Sequence, residues 1–156
     1  MENFEGGCSC GAIRFRIVGS PVWTNLCHCN ACKKRSGSAF GFSFVADANQ
    51  IAYFTGDTTK FVRKGDSGHS CTYEFCPTCG TTVRWKVDLI DRYVFAGGAL
   101  DNPRGIEVAA EIYTGEALSW AQVGCELACA GAPDDEFRRA AVEKVKSMRQ
   151  PDAEQV

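Results

Sequence analysis

Along most of the chain apolar and polar residues alternate. Ile13, Phe15 and Ile17 flank Arg14 and Arg16, and Phe40, Phe42 and Phe44 line one face of a second segment. Val83, Trp85 and Val87 alternate with Thr82, Arg84 and Lys86, while Ile106, Val108, Ala110 and Ile112 face away from Glu107 and Glu111. A period of two over such short stretches predicts half-buried strands. Four more strands are expected at residues 51–54, 59–63, 71–75 and 92–96. Turn sequences separate them: Thr55-Gly56-Asp57, Gly65-Asp66-Ser67-Gly68, and Gly97-Gly98 followed by Asp101-Asn102-Pro103. Helical spacing emerges only after Pro133. Asp134, Asp135 and Glu136 make an acidic start, and Phe137, Ala141, Val145 and Met148 form a stripe. Lys144, Lys146 and Arg149 lie toward the end, where cations favour a helix dipole. The pattern predicts a mainly β fold closed by one C-terminal α-helix that packs on it, with residues 150–156 as a tail. No linker or repeat divides the chain, so residues 1–133 and the helix with its tail, 134–156, are read as parts of one domain.

Composition agrees with a packed interior. The 156 residues are 45% hydrophobic and 23% charged, and ten of them are phenylalanine; a chain of this size buries enough surface to fold without staples. A net charge of −2 argues against nucleic acid or an anionic membrane as partner, since both call for a basic surface. Met1 to Gly7 has neither the basic nor the apolar region of a secretory signal, and no apolar run approaches the roughly eighteen residues that span a bilayer. A cytoplasmic location is expected.

That expectation changes how ten cysteines are read. In a reducing compartment clustered cysteines point to metal ligands or reactive thiols rather than disulfides. Seven fall in three tight groups: Cys8-Ser9-Cys10, Cys27-His28-Cys29-Asn30-Ala31-Cys32, and Cys76-Pro77-Thr78-Cys79-Gly80. Tetrahedral zinc, with sulfur bonds of about 2.3 Å, separates its ligand sulfurs by about 3.8 Å. Cys-x-x-Cys turns reach that spacing, and so does Cys-x-Cys, because residues i and i+2 of an extended segment point to the same side. Seven divides as four plus three. A closed structural zinc takes four ligands and a catalytic one takes three with an open position. Cys27, Cys29 and Cys32 are the compact candidate for the open site, which leaves Cys8 and Cys10 to close on Cys76 and Cys79; spacing by itself leaves that pairing open. Cys71, Cys125 and Cys129 are read as packing residues. His28 and His69 are each a candidate fourth ligand or proton carrier, with a solvated side chain as the expected state of both. Three thiolates blunt the activation of water but accept a fourth, so an open all-sulfur site suits chemistry on a thiol.

Four runs carry a family resemblance: Gly7 to Phe15, Cys27 to Ser38, Phe75 to Thr81, and Ala96 to Pro103. In order and spacing they resemble the glutathione-dependent formaldehyde-activating enzymes, over roughly residues 5 to 123. The resemblance implies a zinc-bearing, tent-shaped β fold, shared with centromere protein V and with an accessory protein of Rab exchange. It implies two zincs per chain: a structural one on Cys8, Cys10, Cys76 and Cys79, and a catalytic one on Cys27, Cys29 and Cys32 that presents a glutathione thiolate to the carbonyl carbon. The implied reaction joins formaldehyde and glutathione into S-hydroxymethylglutathione, a carbon–sulfur lyase reaction run in the bond-forming direction. Lys33, Lys34 and Arg35 are candidate partners for glutathione's carboxylates, and Ser36 and Ser38 candidate hydrogen-bond donors near the metal. One departure is that many relatives carry histidine where Glu111 stands. The rival expectation, drawn from the non-enzymatic relatives, is a zinc-stabilised binding module without chemistry.

Overall fold

In the computed structural model, which describes residues 2–149, the alternating segments form strands of two sheets that share a core. The smaller sheet has the order β1-β2-β5, from Asn3–Gly7, Arg14–Val18 and Ile51–Thr55, with both pairings antiparallel. The larger sheet draws on β3 (Trp23–Cys27), β4 (Gly41–Ala46), β6 (Thr59–Lys64), β7 (Ser70–Phe75), β8 (Thr82–Val87), β9 (Tyr93–Ala96), β10 (Ala110–Ile112) and β11 (Ala128–Cys129), in the order β11-β10-β3-β4-β9-β8-β7-β6. Its pairings are antiparallel except where β10 runs parallel to β3 and to β11. Two helices complete the described residues, α1 (Asn30–Ser36) and α2 (Asp135–Met148). The fold is mainly β and carries a C-terminal helix, as the sequence pattern predicts; the tail at 150–156 lies outside the described residues.

The period of two explains the layering. On β4, Phe44 and Ala46 point into a core with Phe15, Ile17 and Phe95, between the two sheets, while Val45 points to the opposite side. On that side Val45, Trp23, Tyr73, Trp85 and Val94 meet Ala141 and Val145 of α2. Each fully buried ring or branched side chain stabilises by about 1.5–3 kcal/mol relative to exposure. α2 starts where Asp134 accepts a hydrogen bond from the Phe137 N–H at 2.8 Å, the expected cap. Phe137, Ala141, Val145 and Met148 all join the contact with the sheet.

The pattern misses several features, β1 and the short β11 among them, where no strand is expected. β3 has all five residues buried, so it shows no alternation. α1 is two turns long and carries no apolar stripe; it is defined by its ends, with Cys29 as N-cap and Gly37 in the left-handed region at φ +64°. The expected strand over 106–112 is confined to Ala110–Ile112. Upstream of it the Thr24 hydroxyl donates to the Glu107 carbonyl at 2.6 Å and accepts from the Ala109 N–H at 3.1 Å, so a side chain replaces the ladder. Glu111, placed by alternation on the outer face, is 2% exposed.

Candidate metal centres

The first cluster sits where the two sheets meet. The turn after β1 carries Cys8 and Cys10, and the turn between β7 and β8 carries Cys76 and Cys79. Their four sulfurs lie within 4.8 Å of one another. Cys8 and Cys10 are 3.5 Å apart at sulfur, and Cys10 and Cys76 are 3.7 Å apart. Gly80, in the left-handed region at φ +73°, lets its N–H reach the Cys76 carbonyl at 2.9 Å and closes the second turn. The Thr81 hydroxyl and N–H draw the Cys79 thiol down to about 5. The Ala12 N–H favours a Cys10 thiolate, but the sulfurs of Cys8, Cys76 and Cys79 outweigh it and push that thiol up to about 12. Four crowded sulfurs cannot all lose their protons unless a cation sits among them, and these spacings match a tetrahedral thiolate cage.

The second cluster is local. Cys27 ends β3, Cys29 caps α1, and Cys32 lies in the first turn of α1, where its N–H points back at the Cys29 sulfur at 3.4 Å. The three sulfurs fall within 4.8 Å of one another, with no fourth cysteine, histidine or carboxylate inside that limit among the described residues. Hydrogen bonds from the Cys27 and Cys29 thiols, helped by Arg35, hold Cys32 down at about 3, while Cys29, Cys32 and burial push Cys27 up. The Arg35 guanidinium stacks over Trp85 at 4.1 Å, and its Nε and Nη2 are buried without a hydrogen-bond partner. A dication held by three thiolates carries a net charge of −1, so an unpaired guanidinium beside them fits an occupied site. Gly41 makes room for this arrangement. A Cβ there would lie 2.7 Å from Arg35 Nη2 and 3.2 Å from the Cys32 Cβ.

The other sequence candidates scatter. Lys33 donates to the Glu116 carbonyl at 2.6 Å, Lys34 is exposed, and the Ser36 hydroxyl donates to the carbonyls of Cys32 and Phe40, at 2.8 and 3.0 Å. Ser38 is exposed, and its N–H donates to the Ser36 hydroxyl. His69 pairs with Asp88 at the surface. Cys71 is buried beside Tyr73 and Trp85, and Cys125 and Cys129 are half-buried, apart from both clusters.

His28 departs furthest from the sequence reading. It is fully buried rather than solvated, and Nε2 lies 2.9 Å from Glu111 Oε1. Burial opposes the charge on Glu111, and the Cys125 N–H, the His28 ring and the N–H groups of Val123 and Gly124 overcome it, so its pKa is lowered. This carboxylate thus fastens the 123–125 loop to the loop that carries Cys27 and Cys29. Tyr113 was also invisible to spacing. It is the only described residue other than glycine with a positive φ, +56°, and it packs against the three cysteines. The three cysteines and Tyr113 line a cavity of about 180 Å³ between the large sheet and α2.

A mainly β fold with two separate all-cysteine clusters, one of four sulfurs and one of three, is that of a small protein able to hold metal through thiolates. More narrowly, the chain belongs to the glutathione-dependent formaldehyde-activating enzyme family, whose profile matches residues 3–116. A Halomonas elongata protein named "Putative glutathione-dependent formaldehyde-activating enzyme" is similar, 31% identical over 88 residues. That match takes in 54% of this chain, which spans about half (55%) of the relative's length. A crystal structure of a Rhodobacter sphaeroides protein overlays on 67% of this chain and 96% of its own at 22% identity and a TM-score of 0.49, a likeness too slight to bear on fold or function. Among the described residues no helix is long and apolar enough to cross a membrane.

Proposed function

We propose that the chain is a zinc-dependent carbon–sulfur lyase-type enzyme that joins a thiol to an aldehyde, with glutathione and formaldehyde as the leading pair. The observation that carries this reading is the contrast between the clusters. Four sulfurs complete a tetrahedral shell and belong to a structural zinc at Cys8, Cys10, Cys76 and Cys79. Three sulfurs leave one position open at Cys27, Cys29 and Cys32, and that cluster faces a cavity. Zinc bound there would hold an incoming thiol as a thiolate that remains nucleophilic. The chain's own residues do the rest. Arg35 offsets the negative charge of the sulfur cluster, and exposed Lys34 beside it is available to a substrate carboxylate. Burial raises the Tyr113 phenol to about 12, so at neutral pH it stays a proton donor at the cavity wall, suited to an alkoxide developing on the aldehyde oxygen. The largely apolar walls exclude water and favour the adduct over hydrated aldehyde. Among the described residues no disulfide engages the ten cysteines, so the seven clustered sulfurs are available as ligands.

Two-dimensional exchange NMR on glutathione and formaldehyde at equilibrium tests the proposal. Zinc-loaded protein should accelerate interconversion with S-hydroxymethylglutathione, and Cys32→Ala should abolish the acceleration while remaining folded with one zinc. No acceleration above a zinc-matched control would reject this substrate pair. Equal acceleration by Cys32→Ala would reject the assignment of the open site, and unfolding of Cys32→Ala would favour a second structural zinc in a binding module.

A further inference from the structure

The cavity beside the three-cysteine cluster is larger and more apolar than formaldehyde requires. Its volume is about 180 Å³, and between the cysteines at one end and Phe137 and Ala141 of α2 at the other the wall includes the rings of Trp23, Tyr73 and Trp85. The pocket is half open and is lined also by Arg63, Asp66 and Arg138, but its wall is mostly apolar, and apolar space of about 150 Å³ is enough to hold benzene. Formaldehyde has two heavy atoms and no substituent, so behind it these aromatic walls would enclose empty space. Glutathione does not fill the gap. Its peptide body carries two carboxylates and an ammonium group, which suit the polar part of the lining, Arg63, Asp66 and Arg138, and not the aromatic rings. What enters with the reacting carbon is therefore the substituent of the aldehyde.

We infer that the cavity beside Cys27, Cys29 and Cys32 takes the apolar side group of an aldehyde, up to about the size of one aromatic ring, so that the physiological electrophile is an aliphatic or aromatic aldehyde larger than formaldehyde. The inference rests on the thiol–aldehyde reading above. The chemistry is unchanged by the larger group. A sulfur lone pair forms the C–S bond, the carbonyl π pair moves to oxygen, and the proton given up by the thiol ends on that oxygen. The product is a hemithioacetal, with no net oxidation or reduction, and the reverse step breaks the same C–S bond. Burial makes the preference: each methylene accommodated by an apolar pocket discriminates by about tenfold or more.

Two measurements test it. The first requires no turnover: toluene is added to the zinc-loaded protein and followed by saturation-transfer and intermolecular NOE spectra. Toluene should bind, show contacts to the Trp23 or Trp85 indole, and be displaced by phenylacetaldehyde but not by formaldehyde at equal concentration. The second compares exchange of glutathione with phenylacetaldehyde and with formaldehyde under matched conditions. Acceleration should be at least about tenfold greater for phenylacetaldehyde. Phe137→Ala, which removes one wall, should lower that acceleration several-fold and shrink the preference for phenylacetaldehyde over formaldehyde. Absence of toluene contacts at the indoles, or acceleration of formaldehyde equal to or above that of phenylacetaldehyde, overturns the inference and leaves the family reaction standing. Acceleration of neither aldehyde overturns both.

Discussion

Replacing Glu111 by glutamine removes a single charge and almost no volume, yet it should be among the costliest isosteric changes in this chain. The carboxylate meets four donors. Oε1 accepts from His28 Nε2 at 2.9 Å and the Val123 N–H at 3.1 Å, and Oε2 from the Gly124 and Cys125 N–H groups at 2.7 and 2.8 Å. A glutamine amide offers one oxygen and one NH2 group. Turned with its NH2 toward His28, which can accept in its other tautomer, the amide still sets the Val123 N–H against a donor; turned the other way it sets the Gly124 and Cys125 N–H groups against one, and the site is 2% exposed, so water cannot intervene. Hydrogen bonds to a charged group contribute about 1.5–3 kcal/mol each, and losing one in the better orientation sets the expected cost at about 1.5–3 kcal/mol. Urea unfolding of zinc-saturated protein, followed by tryptophan fluorescence, measures it. Glu136→Gln on the exposed side of α2 is the control and should stay within about 0.5 kcal/mol of wild type. A loss below about 1 kcal/mol for Glu111→Gln would refute the view that this carboxylate fastens the 123–125 loop to the cysteine loop.

The same carboxylate sets a pH dependence. Its pKa is lowered on folding from an ordinary 4.5, so its stabilisation is complete above that value and is lost as pH falls through the folded-state value; the stability gap between wild type and Glu111→Gln should hold near pH 7 and shrink below 4.5. Purified protein should carry up to two zincs, the one at Cys27, Cys29 and Cys32 leaving first to a mild chelator; a single zinc with those three thiols free to alkylate in protein never exposed to chelator would rule out two sites. Cys79→Ala should unfold in large part, because zinc binding at a closed four-sulfur site is coupled to folding, and circular dichroism measures that directly. Cys71→Ala should keep its zinc content and lose about 1 kcal/mol of stability, and metal analysis showing one zinc fewer would make Cys71 a ligand.

What could be read in advance depended on which faces each segment buries. β2 and β8 bury one face, and the alternation in Arg14-Phe15-Arg16-Ile17 and Val83-Arg84-Trp85 shows it directly. β3 is covered on both sides, and its buried Thr24 and Asn25 are satisfied by specific partners, the Glu107 carbonyl and the Trp23 indole N–H. A polar residue with a private partner looks like a turn residue in sequence. The cysteine groups were legible because chelation fixes their local spacing. The contact of His28 with Glu111 was not, since it spans 83 residues and nothing in the cysteine motif around His28 points to that partner. The cavity was equally hidden: its wall is assembled from β3, β7, β8 and α2, each of which reads locally as ordinary core.

The reach of the two cysteine clusters along the chain has a consequence for synthesis. The last cysteine of the three-sulfur group is residue 32, whereas the four-sulfur group is complete only at residue 79. At translation rates of roughly 5–20 residues per second, the interval between them lasts roughly 2–9 s. Throughout it Cys8 and Cys10 form half a cage, two thiols on the nascent chain with the other pair not yet made. The order of emergence therefore exposes them to oxidation or to a foreign soft metal before their own partners exist.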